Sequence, residues 1–192
     1  MNLRFALAAF AAALAVPAFA APESYDLDPT HTYPAFEINH LGFSTMRGVF
    51  HGTTGSLTID PAAKKASISA TVDVKSISTG FDKRDDHLRS KDFFNVEQFP
   101  TMTFKADGFD WDGTATAKVA GTLTLLGVAK PVTLTVQPTR CGDRPTDKAF
   151  VCGAMVTTSI NRSDWGMKAY VPYIGDEVKI QIEVEATKKK AG

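Results

Sequence analysis

Val178-Lys179-Ile180-Gln181-Ile182-Glu183-Val184-Glu185-Ala186 sets an apolar side chain at every second position and a charged or amide side chain between them. Successive side chains of a β-strand point to opposite faces, so this period of two describes a strand with one dry and one wet face. The same design recurs upstream. Ile68, Ala70, Val72 and Val74 alternate with Ser67, Ser69, Thr71, Asp73 and Lys75, and Met102, Phe104 and Ala106 alternate with Thr101, Thr103 and Lys105. Residues 35–41, 56–59, 117–125, 132–136 and 150–160 are further candidates, giving about eight strands, with turn signals at Asp60-Pro61, Asp112-Gly113 and Gly142-Asp143.

Strands joined by short turns favour antiparallel pairing, and one-sided hydrophobicity demands either two packed sheets or one sheet closed into a barrel. About eight strands close around an interior just wide enough for side chains or one slender ligand. Small residues among the inward candidates, Ala70, Ala106, Gly121 and Ala154, either leave a cavity or balance bulkier Phe side chains. Pattern alone leaves both readings open.

The period changes between Gly80 and Asp92. Phe81 and Leu88 share one helical face, Asp85 and Arg89 stand four apart, and Asp82 is a candidate N-cap, so a short charged surface helix is expected, tied down by Phe81, Leu88, Phe93 and Phe94. Asp82, Asp85, Asp86 and His87 could supply an acid and a base, yet a charged helix places such neighbours together routinely. No nucleophile elbow, phosphate loop or dinucleotide fingerprint accompanies them. No catalytic residue and no metal site is therefore assigned: His31, His40, His51 and His87 match no metal-ligand spacing. His40 continues the parity of Phe36 and Ile38 and should face inward.

Residues 1–20 carry Arg4, an Ala- and Leu-rich apolar run and an Ala18-Phe19-Ala20 end, the pattern of a cleaved secretory signal peptide. The mature chain, 21–192, is then expected to be one exported domain in the periplasm, with no later stretch reaching the roughly 20 apolar residues of a spanning helix. Once Arg4 is set aside, 20 basic residues face 21 acidic ones, so no nucleic-acid footprint follows. Lys188-Lys189-Lys190 reads as a solvated tail. Cys141 and Cys152 are the only cysteines, and an oxidising compartment makes a disulfide across a hairpin the expectation.

Many separated pieces, in order, resemble the YceI-like family of exported, polyisoprenoid-binding proteins. They are Asp28-Pro29-Thr30-His31 with Phe36 and His40-Leu41-Gly42; Arg47-Gly48 with Phe50; Ile77-Ser78-Thr79-Gly80 leading to Lys83-Arg84-Asp85 and His87-Leu88; Asp92-Phe93-Phe94, Phe99-Pro100 and Phe104; Gly121 to Leu125 with Gly127-Val128 and Lys130-Pro131; and Arg162, Asp164, Trp165 and Gly166 before Ile174 to Val178. The resemblance implies an all-β fold, an extended antiparallel lipocalin-like barrel of about eight strands with a short helical connection, holding a long apolar chain.

On that reading the tunnel lining is Phe36, Ile38, Ala70, Val72, Met102, Phe104, Leu123, Leu134, Val156, Ile180 and Ile182. His40, Arg47, Lys83, Arg84 and Arg162 are candidates for its polar end. The implied ligand is an amphiphilic lipid, a polyisoprenoid or isoprenoid quinone, with no other cofactor. A membrane cytochrome of the b561 type is an implied partner; the oligomeric state is left open by the sequence, with a dimer formed by edge pairing or for lipid exchange as one option. An enzyme acting on a lipid head group and a filled barrel serving as a structural or stress-protective module are the alternative classes.

Overall fold

The computed structural model describes residues 21–190, so the expected signal peptide lies outside the described residues. In chain order the elements are β1 (Glu23–Leu27), β2 (Tyr33–His40), β3 (Ser44–Phe50), β4 (Thr53–Asp60), β5 (Lys65–Asp73), β6 (Ile77–Ser78), α1 (Asp82–Arg89), β7 (Thr101–Asp110), β8 (Ala117–Leu125), β9 (Val128–Val136), β10 (Arg140–Asp143), β11 (Phe150–Asn161) and β12 (Ile174–Lys188). Every period-two stretch forms a strand.

Twelve assigned strands make eight staves. β1 and β2 lie end to end along one edge of β12, with Leu27 opposite Ala186 and Tyr33 opposite Glu183. Six residues of one stave thus span three of its neighbour, and the excess bulges out as 28–32. β3 and β4 likewise form one bent stave, pairing with β2 and β1, and β5 and β6 another, pairing with β4 and β3. The sequence β5–β7–β8–β9–β11–β12 then returns to β1, so the antiparallel sheet closes and no edge is left in the ring. The connections at residues 41–43, 79–100, 126–127 and 162–173 gather at one end of the barrel. Those at 61–64, 111–116 and 137–149 gather at the other, beside the start of β1 and the end of β12.

Five sequence expectations need correction. The basic run 188–190 is not simply a solvated tail: Lys188 ends β12 opposite Tyr25 and holds Glu23 at 2.7 Å, and Lys189 holds Asp26 at 2.9 Å. Gly142-Asp143 is not the turn: both belong to β10, and the chain reverses beyond Arg144, whose guanidinium holds Asp147 at 2.8 Å across the tip. The N-cap of α1 is Phe81 rather than Asp82, which starts the helix and offers no capping bond. Phe81 itself is 54% exposed, with the Arg84 guanidinium over its ring, so Leu88 and Phe94 do the anchoring against the buried cluster of Phe50, Val72, Val74, Ile77 and Val96. Asp85 does not pair with Arg89. Asp85 is buried and accepts from the Thr79 N–H and hydroxyl, while Arg89 holds Asp86 at 3.0 Å and the Lys75 and Ile77 carbonyls.

Cys141 and Cys152 face each other in register across the β10–β11 hairpin and are joined by a disulfide. Closing a loop of this length removes unfolded-state entropy worth about 3 kcal/mol. A Cys141→Ser, Cys152→Ser variant should lose about that much in a urea titration, and the reduced wild type should fall to the same midpoint. Equal midpoints for oxidised and reduced wild type would show that the hairpin is held by its other contacts.

Candidate functional site

The barrel encloses a cavity of about 670 Å³, within the range of about 300–1,000 Å³ typical of small-molecule sites. Its openness has a local cause. Phe36 lies directly opposite Gly48, and a Cβ on that glycine would stand 2.4 Å from the Phe36 ring. Gly121 accommodates Phe104 at the same 2.4 Å. Each glycine lets a phenyl ring lie against the wall instead of projecting across the lumen. Ala70 and Ala154 add further room, so inward Ile38, Ile180 and Ile182 stay only half-buried although no polar solvent face is theirs. The filled-barrel alternative does not fit this interior.

All eleven apolar residues proposed from sequence are on the cavity wall: Phe36, Ile38, Ala70, Val72, Met102, Phe104, Leu123, Leu134, Val156, Ile180 and Ile182. One end is a floor. There Leu27, Ile59, Cys152 and Ala186 are buried and pack with Phe109 and Trp111, whose indole N–H donates to the Thr139 hydroxyl at 3.3 Å. The wall residues that are solvent-exposed, Leu41, Arg47, His87, Tyr170 and Tyr173, all lie at the opposite end, which is therefore the mouth. Among buried side-chain polar atoms of the described residues, only the Thr53 hydroxyl on this wall has no hydrogen-bond partner.

Around the mouth the polar candidates divide by what they already hold. Arg162, 2% exposed, donates to the carbonyls of Gly175 (2.8 Å), Met167 (3.0 Å), Ala169 (2.8 Å) and Ile174 (3.1 Å) and lies over the Phe93 ring. Burial pushes its pKa down from the ordinary value, while the charge of Asp176 acts the other way. Arg84 is held by the Thr79 hydroxyl and carbonyl at 2.7 and 2.8 Å. Arg47 pairs with Glu37 at 2.7 Å in solvent. His40 is half-buried on the wall where β2 ends. Lys83 is not on the wall: one helical position from Arg84, it points into water.

The tempting acid–base pair is not assembled. Asp85 spends its carboxylate on Thr79, whereas His87 stands 3.6 Å from Asp92 and packs edge-on against Phe93 and Tyr170. Sequence reading missed Tyr170 and Tyr173 at the mouth and Trp111 at the floor. These lie in or beside connections, where no periodicity marks an inward position.

Outside the cavity, the 28–32 bulge brings donor atoms of Asp28, His31 and Glu185 within 4.8 Å of one another. Arg144 also approaches Asp28, at 3.4 Å, and this cation beside the donors makes the group an ion-pair network. The hydrogen bond that His31 donates to Asp28 raises the His31 pKa, with Asp28 and Glu185 charges adding and Arg144 opposing. Burial alone would push Asp28 up, but hydrogen bonds from Thr30 and His31 outweigh it and bring it down to about 2. The His31 contribution is thus full below its unfolded pKa of about 6.5 and fades as pH rises through the raised folded value. The Asp28 contribution is full above about 3.9 and fades as pH falls toward 2. Urea midpoints should therefore differ most between wild type and His31→Gln from about pH 4 to 6.5 and converge at alkaline pH. A constant gap across pH would assign the effect of the substitution to packing.

Comparison with known proteins matches this architecture. Residues 25–186 fit the family described as "YceI-like domain". Protein YceI of Escherichia coli O157:H7 is 35% identical over 193 residues, covering 99% of this chain and 97% of its own. The crystal structure of the Campylobacter jejuni YceI protein superposes with a TM-score of 0.69 at 29% identity, over 80% of this chain and 91% of that one. A polyisoprenoid binding domain from Saccharophagus degradans, implicated in plant cell wall breakdown, shares the fold at TM-score 0.63 and 18% identity, over 86% and 98% of the two chains. The closed meander, its open apolar interior and these matches together establish that the chain belongs to the YceI-like family.

Proposed function

We propose that this protein binds and carries an amphiphile with a long, unbranched or isoprenoid apolar chain, and performs no chemistry on it. The observation carrying this reading is the single-mouthed apolar cavity of about 670 Å³ inside the closed barrel. At roughly 30 Å³ for a water-sized group, that space takes on the order of twenty chain atoms. Burial gains about 0.8 kcal/mol for each methylene, a gross driving force large enough to survive the cost of ordering the chain. The chain end reaches the Trp111 floor, and the head group rests among His40, Arg47, Arg84 and the Arg162 loop. Selectivity then comes from tunnel length and head-group size.

A polyisoprenoid or isoprenoid quinone fits this description, and the polyisoprenoid-binding neighbour is one fold relative with such a ligand class. The Cys141–Cys152 disulfide supports an exported, periplasmic location, and among the described residues no helix is long and apolar enough to cross a membrane. A b561-type membrane cytochrome would be one destination for a quinone cargo. Native mass spectrometry of protein purified from its own host tests the proposal. A stoichiometric lipid released on denaturation is expected, and its mass names the ligand. Repeated absence of lipid, with no uptake of added C20 isoprenoid alcohol or quinone, would overturn it.

A further inference from the structure

The large apolar side chains that the barrel leaves in water are concentrated at one end. Of the eight that are exposed among the described residues, only Phe150 lies at the floor end. The other seven sit on or directly beside the connections around the mouth. Phe43, the tip of the β2–β3 turn, is 91% exposed, and Leu41 beside it is 48% exposed. Tyr173, Tyr170 and Val171 on the connection into β12 are 72%, 54% and 38% exposed. Phe81, where α1 begins, and Val128, after the β8–β9 turn, complete the ring.

These connections are one structure. The Leu41 N–H donates to the Tyr173 carbonyl at 2.9 Å, and Tyr170 stacks on Phe93 and meets His87 on α1. Leu41, Tyr170 and Tyr173 are also cavity wall, so the exposed apolar rim runs without interruption into the tunnel.

We propose that this rim is a docking surface for a lipid bilayer, inserted shallowly at the head-group level so that the tunnel mouth opens onto the acyl phase. The inference rests on the carrier reading above. An apolar chain that leaves the membrane through water exposes every methylene, at about 0.8 kcal/mol each, and a mouth sealed against the bilayer avoids that exposure. Exposed phenylalanine, leucine and tyrosine side chains together suit an interface where one end of a side chain is apolar and the other wet.

Charge around the rim is mixed. Lys83 and Lys168 are exposed, but Arg47 is paired with Glu37 and His87 faces Asp92. Attachment is therefore driven by apolar contact and depends little on anionic lipid. A second copy seated on the same ring would cap both tunnels and block exchange.

The mature chain should co-float with zwitterionic phosphatidylcholine vesicles, and Phe43→Ser with Phe81→Ser, two rim positions off the cavity wall, should lower the bound fraction by about tenfold or more, because bound apolar area sets this affinity. Both positions are exposed, so the variant should keep its melting temperature. Affinity for a fluorescent long-chain acyl probe presented in detergent should be unchanged, while uptake of the same probe from vesicles slows by a similar factor. Failure of probe binding in detergent by the wild type would sink the carrier reading. Intact probe binding with no wild-type co-flotation, or equal co-flotation of variant and wild type, would overturn the docking surface alone. So would a wild-type dimer that the substitutions convert to monomer with vesicle uptake unaffected.

Discussion

Replacing Arg162 with Met should destabilise the protein by about 3–5 kcal/mol. The guanidinium is 2% exposed and satisfies four backbone carbonyls between Met167 and Gly175. Among the described residues no carboxylate forms an ion pair with it, so carbonyl dipoles compensate its buried charge, and Asp176 is occupied by the Ser163 N–H and hydroxyl. Met keeps much of the volume but leaves those carbonyls without donors in a place water reaches poorly. Arg162→Lys should recover only part of the loss, since one ammonium cannot match the planar fork. Urea titration reads the magnitude. A loss under about 1 kcal/mol would mean that water or another donor replaces the guanidinium. The same variant should release a bound acyl probe faster, because the connection that Arg162 holds carries Tyr170 and Tyr173 at the mouth.

Arg162 also shows where sequence reading stops. Its residue type and position were readable, and a head-group contact was a reasonable expectation for a cation in a lipid-binding chain. Its actual partners are carbonyls five to thirteen residues away, two in a connection without periodic pattern and two at the start of β12. Strands behave differently. β12 was legible from Val178 to Ala186, where inward and outward positions alternate in polarity; the irregularity between Ile174 and Val178 hid its start, and its last residue, Lys188, carries no such signal. β3 was not recognised, since its inward row is Met46, Gly48 and Phe50, and the glycine stands where alternation asks for an apolar side chain. The Phe36 ring occupies that place from the neighbouring strand. β1 contributes only Tyr25 and Leu27 inward, too few to establish a period. The helix was legible as a helix, but its contacts were not. Spacing of three or four residues offers several partners to each charge, and only the folded β6–α1 connection selects Thr79 for Asp85 and Asp86 for Arg89.

Ile180→Trp should weaken binding of a long-chain acyl probe by about 100-fold while leaving a folded barrel. Ile180 sits midway along β12, opposite Phe36 on β2 and Thr158 on β11, with its side chain on the cavity wall. Phe36 is already recessed against Gly48 and cannot withdraw further, so an indole at 180 must project into the lumen. Excluding three or four methylenes of the ligand costs about 3 kcal/mol, which is the expected factor. The unfilled space should absorb the larger ring, so the usual overpacking penalty of about 1–3 kcal/mol falls at its low end. Val72→Trp makes the informative contrast. Val72 is also on the wall, but it is 8% exposed and packed with Phe50, Val74, Ile77 and Val96, so tryptophan there should lower stability as well as uptake. Lys179→Trp, on the outward face of β12, controls for the added aromatic and should change neither. Probe titration with thermal melts separates the three. Wild-type affinity in Ile180→Trp at an unchanged melting temperature would mean that the ligand chain does not pass this level of the barrel, and would remove the cavity from the mechanism of binding.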